Sequence, residues 1–499
     1  MNILLAASEM IPFAKTGGLA DVTGALPPAL KDLGESVSAI IPCYRGIEKK
    51  FTTRRTGVTV SVPILEGDEP KPRLAEILVA ELGGIPVYLV KNDDYFDREA
   101  LYSLPDGDYP DNCARFTFFC RAVLEFIKVK GWKPDVIHCH DWQTALIPIY
   151  LQTIMKDDPA YAGIRTALTI HNLGYQGKFW HWDMKLIGLP WEYFTIDCLE
   201  YYGDLNLLKG GIVLADAVTT VSKGYAKEIQ TEGMGAGLTD TIRSRAQDLY
   251  GIVNGIDYRI WNPATDSHLA AAYRPDDLAG KAKCKAALQK ELGLPQKPKV
   301  PIVGMISRLI DPKGFDILAE DFDQIMEENV QFALLGAGER KYHDLFAEIA
   351  AKFPGRVGIK IGFDDGLAHR IEAGADLFLM PSLYEPCGLN QMISLKYGAV
   401  PVVRATGGLD DTIKQWSART RKGNGFKFKP YTAEALRKSL GLALAAYRKP
   451  REWETIIQNG MKEDHSWAAS AEKYQELFGQ LTGAKKPARP GKKAGAKAG

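Results

Sequence analysis

Short apolar or β-branched runs alternate with stretches of helical spacing along most of the chain, and this alternation restricts the fold more than any other feature. In the first half the runs fall at residues 3–7, 36–41, 86–90, 136–139, 166–170 and 217–221. A second series opens near Pro301 with "PIVGMISRL", "QFALLGAGE", "VGIKIGF", "ADLFLMPS" and "AVPVVRAT". Strands joined through helices need crossover connections, which make the sheets parallel and cover both faces. At 499 residues the chain is too long for one ordinary core. The expected fold class is therefore α/β, with two Rossmann-like doubly wound domains over residues 1–262 and 263–463. Between the two series, "GIVNGIDYRIWNPATD" joins a strand to Asn-Gly and Asn-Pro turn signals and is expected to be the hinge. Trp467, Ala471, Tyr474 and Phe478 recur at helical spacing, which predicts a closing helix over 464–482 with these residues on one face, packing back on the first domain.

Basic and acidic residues balance at 62 against 61, but not evenly. Residues 485–499 hold six basic residues and no acidic one, so the remainder carries 56 against 61. A body of that sign does not suit a polyanion, and no nucleic-acid partner is expected. The tail over 483–499 lacks any apolar group larger than proline and is expected to be disordered. Seven scattered cysteines without a C-x-x-C pair point to a reducing compartment and no disulfide frame. No apolar run approaches spanning length, so no membrane partner is expected. The N-terminus lacks a secretory n-region, and a cytoplasmic location is expected. Composition leaves the oligomeric state open.

Ligands of open α/β sheets bind beyond the carboxyl ends of the strands, so the polar clusters found there are the candidate site. After the first strand comes "KTGGLADV", with Lys15, Gly17, Gly18 and Asp21. Glycines admit a ligand close to the backbone, and a helix N-terminus presents free amides to an anion. The stretch lacks the G-x-x-x-x-G-K-[ST] and G-x-G-x-x-G patterns, leaving open which phosphate-bearing ligand it holds. Three later strands end in "HCHDW", "HNLGYQG" and "VSKGY". His138 and His140 point to one face, with Asp141 following. A metal centre needs three or four converging ligands and only His171 is near, so no metal is expected. His171 itself, on a rim loop, suits a structural or a functional role equally.

In the second half "SRLIDPKG" sets Arg308 and Lys313 across a proline turn just after a strand, where both can hold an anion. In "SLYEPCGLNQ", Glu385 and Cys387 sit on a loop and Gly388 is expected to open a helix. A carboxylate beside free amides suits a sugar joined to a phosphate. The lesser alternative for Glu385 is a helix-start carboxylate stabilised by the dipole. Cys387, without a basic neighbour in sequence, reads as a packed thiol. The turn "LLGAGE" lacks the third glycine of a dinucleotide loop.

Taken in order, "KTGGLADV", "HCHDWQT", "TIHNLGYQG", "GIVNGID…WNPATD", "SRLIDPKG", "EPCGLNQ" and "TGGLDDT" make the chain, over residues 1 to about 480, resemble the bacterial glycogen synthases and the related starch synthases. The resemblance implies a B-type glycosyltransferase fold and transfer of glucose from ADP-glucose to the non-reducing end of an α-1,4-glucan, with retention and without a metal or other cofactor. ADP-glucose and glycogen are the implied partners. It places Lys15, Gly17, Gly18, Arg308 and Lys313 by the donor diphosphate, and Glu385 with the Cys387–Gly388 backbone on the glucose hydroxyls. His171 would lie near the sugar, Asp141 on the acceptor side and Phe363 against the base. Asp21 and Asn254 match motif positions without an assigned role.

Retention with a protein nucleophile would need two close carboxylates. The resemblance implies instead departure and attack on one face, with the leaving diphosphate taking the acceptor proton. Position 393, where related glycosyltransferases carry a second glutamate, is isoleucine, a feature of this branch. A nicotinamide-dependent dehydrogenase would also pair two doubly wound domains, but it should show G-x-G-x-x-G on the first turn with an acid about twenty residues on. A non-catalytic two-lobed sugar-binding protein would need no cations from both lobes.

Overall fold

The computed structural model describes residues 1–66 and 69–483; the basic tail expected over 483–499 lies, beyond Gly483, outside the described residues. The first sheet contains β1 (Asn2–Ala6), β2 (Ser36–Pro42), β3 (Arg54–Glu66), β4 (Glu69–Leu82), β5 (Ile85–Lys91), β6 (Val136–His140), β7 (Arg165–Ile170), β8 (Ala217–Thr220) and β9 (Leu249–Gly251). Their order is β9-β8-β7-β6-β1-β2-β5-β4-β3. From β9 to β5 every pairing is parallel, whereas β4 runs antiparallel to both neighbours. β1, apolar from Ile3 to Ala6, sits in the middle with Ile3, Leu4 and Leu5 sealed from solvent.

The second sheet is parallel throughout: β10 (Ile302–Leu309), β11 (Gln331–Gly338), β12 (Val357–Ile361), β13 (Leu377–Met380), β14 (Val400–Arg404) and β15 (Phe426–Phe428), in order β12-β11-β10-β13-β14-β15. The α/β class expected from the alternation is thus present, and each large sheet is extended at one edge. The β3–β4 hairpin closes one edge of the first sheet, and short β15, with Lys427 at its centre, extends the second. Neither carries the long apolar run of a strand buried on both faces.

Two segments join the sheets. Beyond β9 the chain passes through Asn254, Gly255 and Trp261 before the second lobe begins. The helix Trp467–Thr482 then packs on the helix Gly18–Asp32 of the first lobe with Trp467, Ala471, Tyr474 and Phe478 buried. Gln475 donates to Glu35 Oε1 at 2.6 Å and Ser470 to the Val253 carbonyl at 2.7 Å. A β-carbon on Gly255 would lie 2.5 Å from the Trp467 backbone, so the crossing tolerates only glycine there. A mainly apolar cavity of about 250 Å³ lies at this junction, lined from the linker, Asp21, Leu389 and Trp467. No helix among the described residues is long and apolar enough to cross a membrane.

Candidate active site

Residues from the β10 and β13 ends build the second-lobe half. Arg308 lies near the end of β10, and a short turn over Asp311–Lys313 brings Lys313 back toward Glu385. Lys313 donates to Glu385 Oε2 at 2.7 Å, and Ser382 to the same oxygen at 3.1 Å. Both charged groups are largely buried, with side-chain exposures of 20% and 11%. Arg308, Lys313, Glu385 and Gly388 line one cavity of about 160 Å³ with Ser307 and Asn390. The Arg308 guanidinium is exposed and has no ion-pair or hydrogen-bond partner among the described residues. An unpaired arginine fork beside a paired lysine is a ready anion site.

Gly388 has φ of +68°, and the helix starts only at Asn390. This corrects the expectation that Gly388 opens the helix, since the left-handed region ends or precedes helices rather than entering them. Cys387 is buried, and burial pushes its thiol up to about 12, so it is no nucleophile at neutral pH. The Asn254 backbone amide hydrogen-bonds that sulfur, whereas the Asn254 side-chain oxygen is buried without a partner. Ser222 of the first lobe donates to the Pro386 carbonyl at 2.5 Å. Loop 385–388 therefore rests directly on the first lobe.

On the first lobe, Lys15 pairs with Asp21 at 2.7 Å, half exposed. Glu9, a residue that no sequence motif marks, organises this loop. Its carboxylate accepts from the Thr16 amide and hydroxyl at 2.5 and 2.6 Å, from the Gly17 amide at 3.2 Å and from Tyr102 at 2.8 Å. The Gly17 amide is thus engaged from within the chain. A β-carbon at Gly17 or Gly18 would meet no atom within 4 Å, and neither has a positive φ. Neither packing nor conformation demands glycine at these positions, which is the pattern of a loop kept bare for a ligand.

Asp141 closes the end of β6 with φ of +56°, a strained conformation costing about 1–3 kcal/mol. In that pose its Oδ1 accepts from the His171 amide at 2.7 Å. Burial, with a smaller push from the Glu9 charge, raises its carboxyl to about 7. His171 and His138 are pushed down to about 3 by burial, and burial also lowers His140. All three imidazoles are neutral at neutral pH. His140 Nδ1 lies 2.9 Å from His171 Nε2, while His140 Nε2 is buried without a partner. A buried bare nitrogen is less costly than a buried unpaired N–H, so His140 is assigned as the donor. His171 then carries its proton on Nδ1. His138 bonds Thr169 at 2.6 Å, and no metal grouping among the described residues includes these histidines. Phe363 stands apart, 91% exposed after β12 and not lining the cavity.

The raised Asp141 carboxyl has a consequence for stability. Between the ordinary carboxylate range and about 7 the folded chain holds a proton that the unfolded chain has lost, so stability from this group falls as pH rises through that window. Asp141→Asn keeps the shape without the titration. Its stability relative to the parent should rise from pH 5 to pH 8, by about 2–3 kcal/mol at most. Denaturant melts of both proteins at the two pH values check this; a constant difference would refute it.

Residues 2–244 match the description "Starch synthase catalytic domain", and residues 287–460 match "Glycosyl transferases group 1". Glycogen synthase 2 of Geobacter sulfurreducens is 48% identical over 479 residues, covering 96% of this chain and 98% of the relative. The chain belongs to the glycogen and starch synthase family. The glycogen synthase of Geotalea daltonii is 49% identical over 478 residues, covering 96% of this chain and 98% of the relative. Among solved structures, the catalytic domain of starch synthase IV from Arabidopsis thaliana, bound to ADP and acarbose, superposes with a TM-score of 0.86. It is 34% identical, covering 96% of this chain and 99% of that one. Sucrose-phosphate synthase from Thermosynechococcus elongatus, 16% identical with a TM-score of 0.59 over 97% of this chain and 100% of that one, shares the fold alone. As a member of this glycosyltransferase family, the enzyme lengthens a glucan by glucosyl transfer.

Proposed function

We propose that this synthase takes glucose from ADP-glucose and adds it, with retained configuration, to the non-reducing end of an α-1,4-glucan in the cytoplasm. The carrying observation is the cavity in which an unpaired Arg308 and the Glu385-bound Lys313 share one wall. It can seat a diphosphate beside a hydroxyl-reading carboxylate, and the ADP and acarbose of the starch synthase IV structure support that division. Arg308 and Lys313 stabilise the leaving diphosphate, with Lys15 answering from the first lobe, a term worth several kcal/mol when donors are preorganised. Glu385 accepts hydroxyl protons of the transferred glucose, and the Cys387–Gly388 backbone borders it. His171 Nδ1–H donates to the sugar, and Asp141 fixes the His171 backbone on the acceptor side. Gly17 and Gly18 admit the phosphates, Phe363 stacks on the base, and Asp21 and Asn254 hold the loops that meet. Lobes 1–262 and 263–463 close on each other, the helix 464–482 staying with the first, so that the reacting groups are positioned.

No cofactor is required in this reading, because side-chain cations meet the diphosphate. The one group of three residues able to hold a metal among the described residues, His268, Asp365 and His369, does not line the cavity. Purified protein with labelled ADP-glucose and glycogen should label the polymer, with UDP-glucose less efficient and a chelator without effect. Equal use of both donors, or chelator loss restored by Mg²⁺, would overturn the corresponding part.

A further inference from the structure

Among the described residues, six of the fifteen exposed large hydrophobic ones lie within 28 consecutive positions, 175–202, and these include all three exposed tryptophans. A soluble protein seldom leaves aromatic area in water without a use for it. The rings of Trp180, His181, Trp182, Trp191 and Phe194 form one connected cluster. Trp182 lies 5.4 Å from Trp191 and 6.3 Å from Trp180, and Phe194 lies 5.5 Å from Trp191.

The cluster continues the first-lobe side of the active site. Asp141 is followed by Trp142, whose ring packs edge-on to Phe179 at 5.5 Å. A β-carbon on Gly177 would lie 2.6 Å from the Trp142 ring, so the backbone leading to Trp180 lies flat on that indole. The ring surface is thus joined, through Phe179 and Trp142, to the strand end that carries Asp141.

We infer that the Trp180–Trp182–Trp191 surface is a docking platform for the body of the glucan acceptor, beyond the units held at the reacting end. The inference rests on the proposed reading of the Asp141 side as the acceptor side. The chemistry fits a neutral polyhydroxyl chain. Sugar rings present flat C–H faces that lie against indoles, while their hydroxyls reach a polar rim, and an amphipathic ring surface suits that contact. The rim mixes both signs, Lys178 and Lys185 with Asp183 and Glu192, so no single-sign field favours a polyanion.

The experiment compares the full chain with Trp180→Ala/Trp182→Ala and with Trp191→Ala, with thermal melts reporting folding. Affinity electrophoresis in gels containing glycogen, and titration with maltoheptaose, read glucan binding. Both variants should melt near the parent, and the double variant should bind glycogen roughly ten- to a hundred-fold more weakly, with maltoheptaose weakened in the same order. ADP affinity should be equal in all three proteins. Parental glycogen affinity in the two folded variants overturns the inference. So does a parent that self-associates while the variants are monomers with unchanged glycogen binding, which would make the surface a contact between copies. Should the parent itself transfer no label from ADP-glucose, the functional reading fails instead, and the binding data still decide the platform.

Discussion

Arg308→Ala is expected to lower glucan synthesis about 10²–10³-fold and to weaken ADP alongside it. Preorganised donors aimed at developing charge are worth about 2.7–4 kcal/mol each, and Arg308 is the cavity cation with no partner within the described chain. Its guanidinium therefore gives up no internal ion pair to meet the diphosphate. Glu385→Gln should behave differently. It removes a charged acceptor for the sugar hydroxyls, a loss on the order of 1.5–3 kcal/mol, or roughly ten- to two-hundred-fold in rate. ADP has no glucose for Glu385 to hold, and Lys313, 2.7 Å from that carboxylate in the parent, is released from its pair. ADP affinity should hold or tighten. Titration calorimetry with ADP beside glucan-synthesis kinetics separates the two patterns. If Glu385→Gln lost ADP as severely as Arg308→Ala, the cavity would not divide into phosphate and sugar ends.

The split between these residues was legible because strand, polar loop and helix succeed one another in sequence, and the C-terminal ends of parallel strands gather their outgoing loops along one rim. "SRLIDPKG" and "EPCGLNQ" each sit after such a strand, and β10 and β13 are neighbours in the sheet. What sequence order could not supply was pairing across it. Lys313 and Glu385 are 72 positions apart, and nothing local marks them as an ion pair. Glu9 was missed for a different reason. It stands in "SEM" after β1, a lone acid that offers no motif, and only the folded loop shows its carboxylate gathering the Thr16 and Gly17 amides. The histidine chain was half visible: the alternation in "HCHDW" put His138 and His140 on one face, but the 2.9 Å contact of His140 with His171 depends on the register of β6 against β7. The hairpin β3–β4 escaped because its strands carry charge and proline along an edge, where burial on both faces is not required.

The "TGGLDDT" motif shows what spacing alone could not explain, and it yields the second large effect. Gly407 and Gly408 open the helix Gly407–Thr412, which lies against loop 385–388. A β-carbon on Gly408 would stand 2.0 Å from the Cys387 carbonyl oxygen and 2.6 Å from the Cys387 Cα. Those are backbone atoms and cannot rotate aside, so Gly408→Ala must move either the helix or the loop that carries Glu385. The helix has little freedom to give way. The Gly407 amide and the Thr406 hydroxyl donate to Glu228 Oε1 at 2.8 and 2.9 Å, and the Gly224 amide donates to Asp411 at 2.8 Å, all from the other lobe. The displacement therefore falls on Glu385, where about 1 Å of misplacement can cost about 10²-fold. We expect Gly408→Ala to lose about 100-fold in kcat/KM and about 1–3 kcal/mol of stability by overpacking. ADP affinity should fall far less, since Arg308 and Lys313 stand on a different loop. Gly441→Ala is the matched control. It lies inside the helix Ala433–Tyr447 with no atom within 4 Å of the new methyl group. Alanine should stabilise the chain there by up to about 1 kcal/mol and leave turnover alone. If Gly408→Ala instead matched the parent in kcat/KM, contact with the glycine helix would not be what holds Glu385 in place.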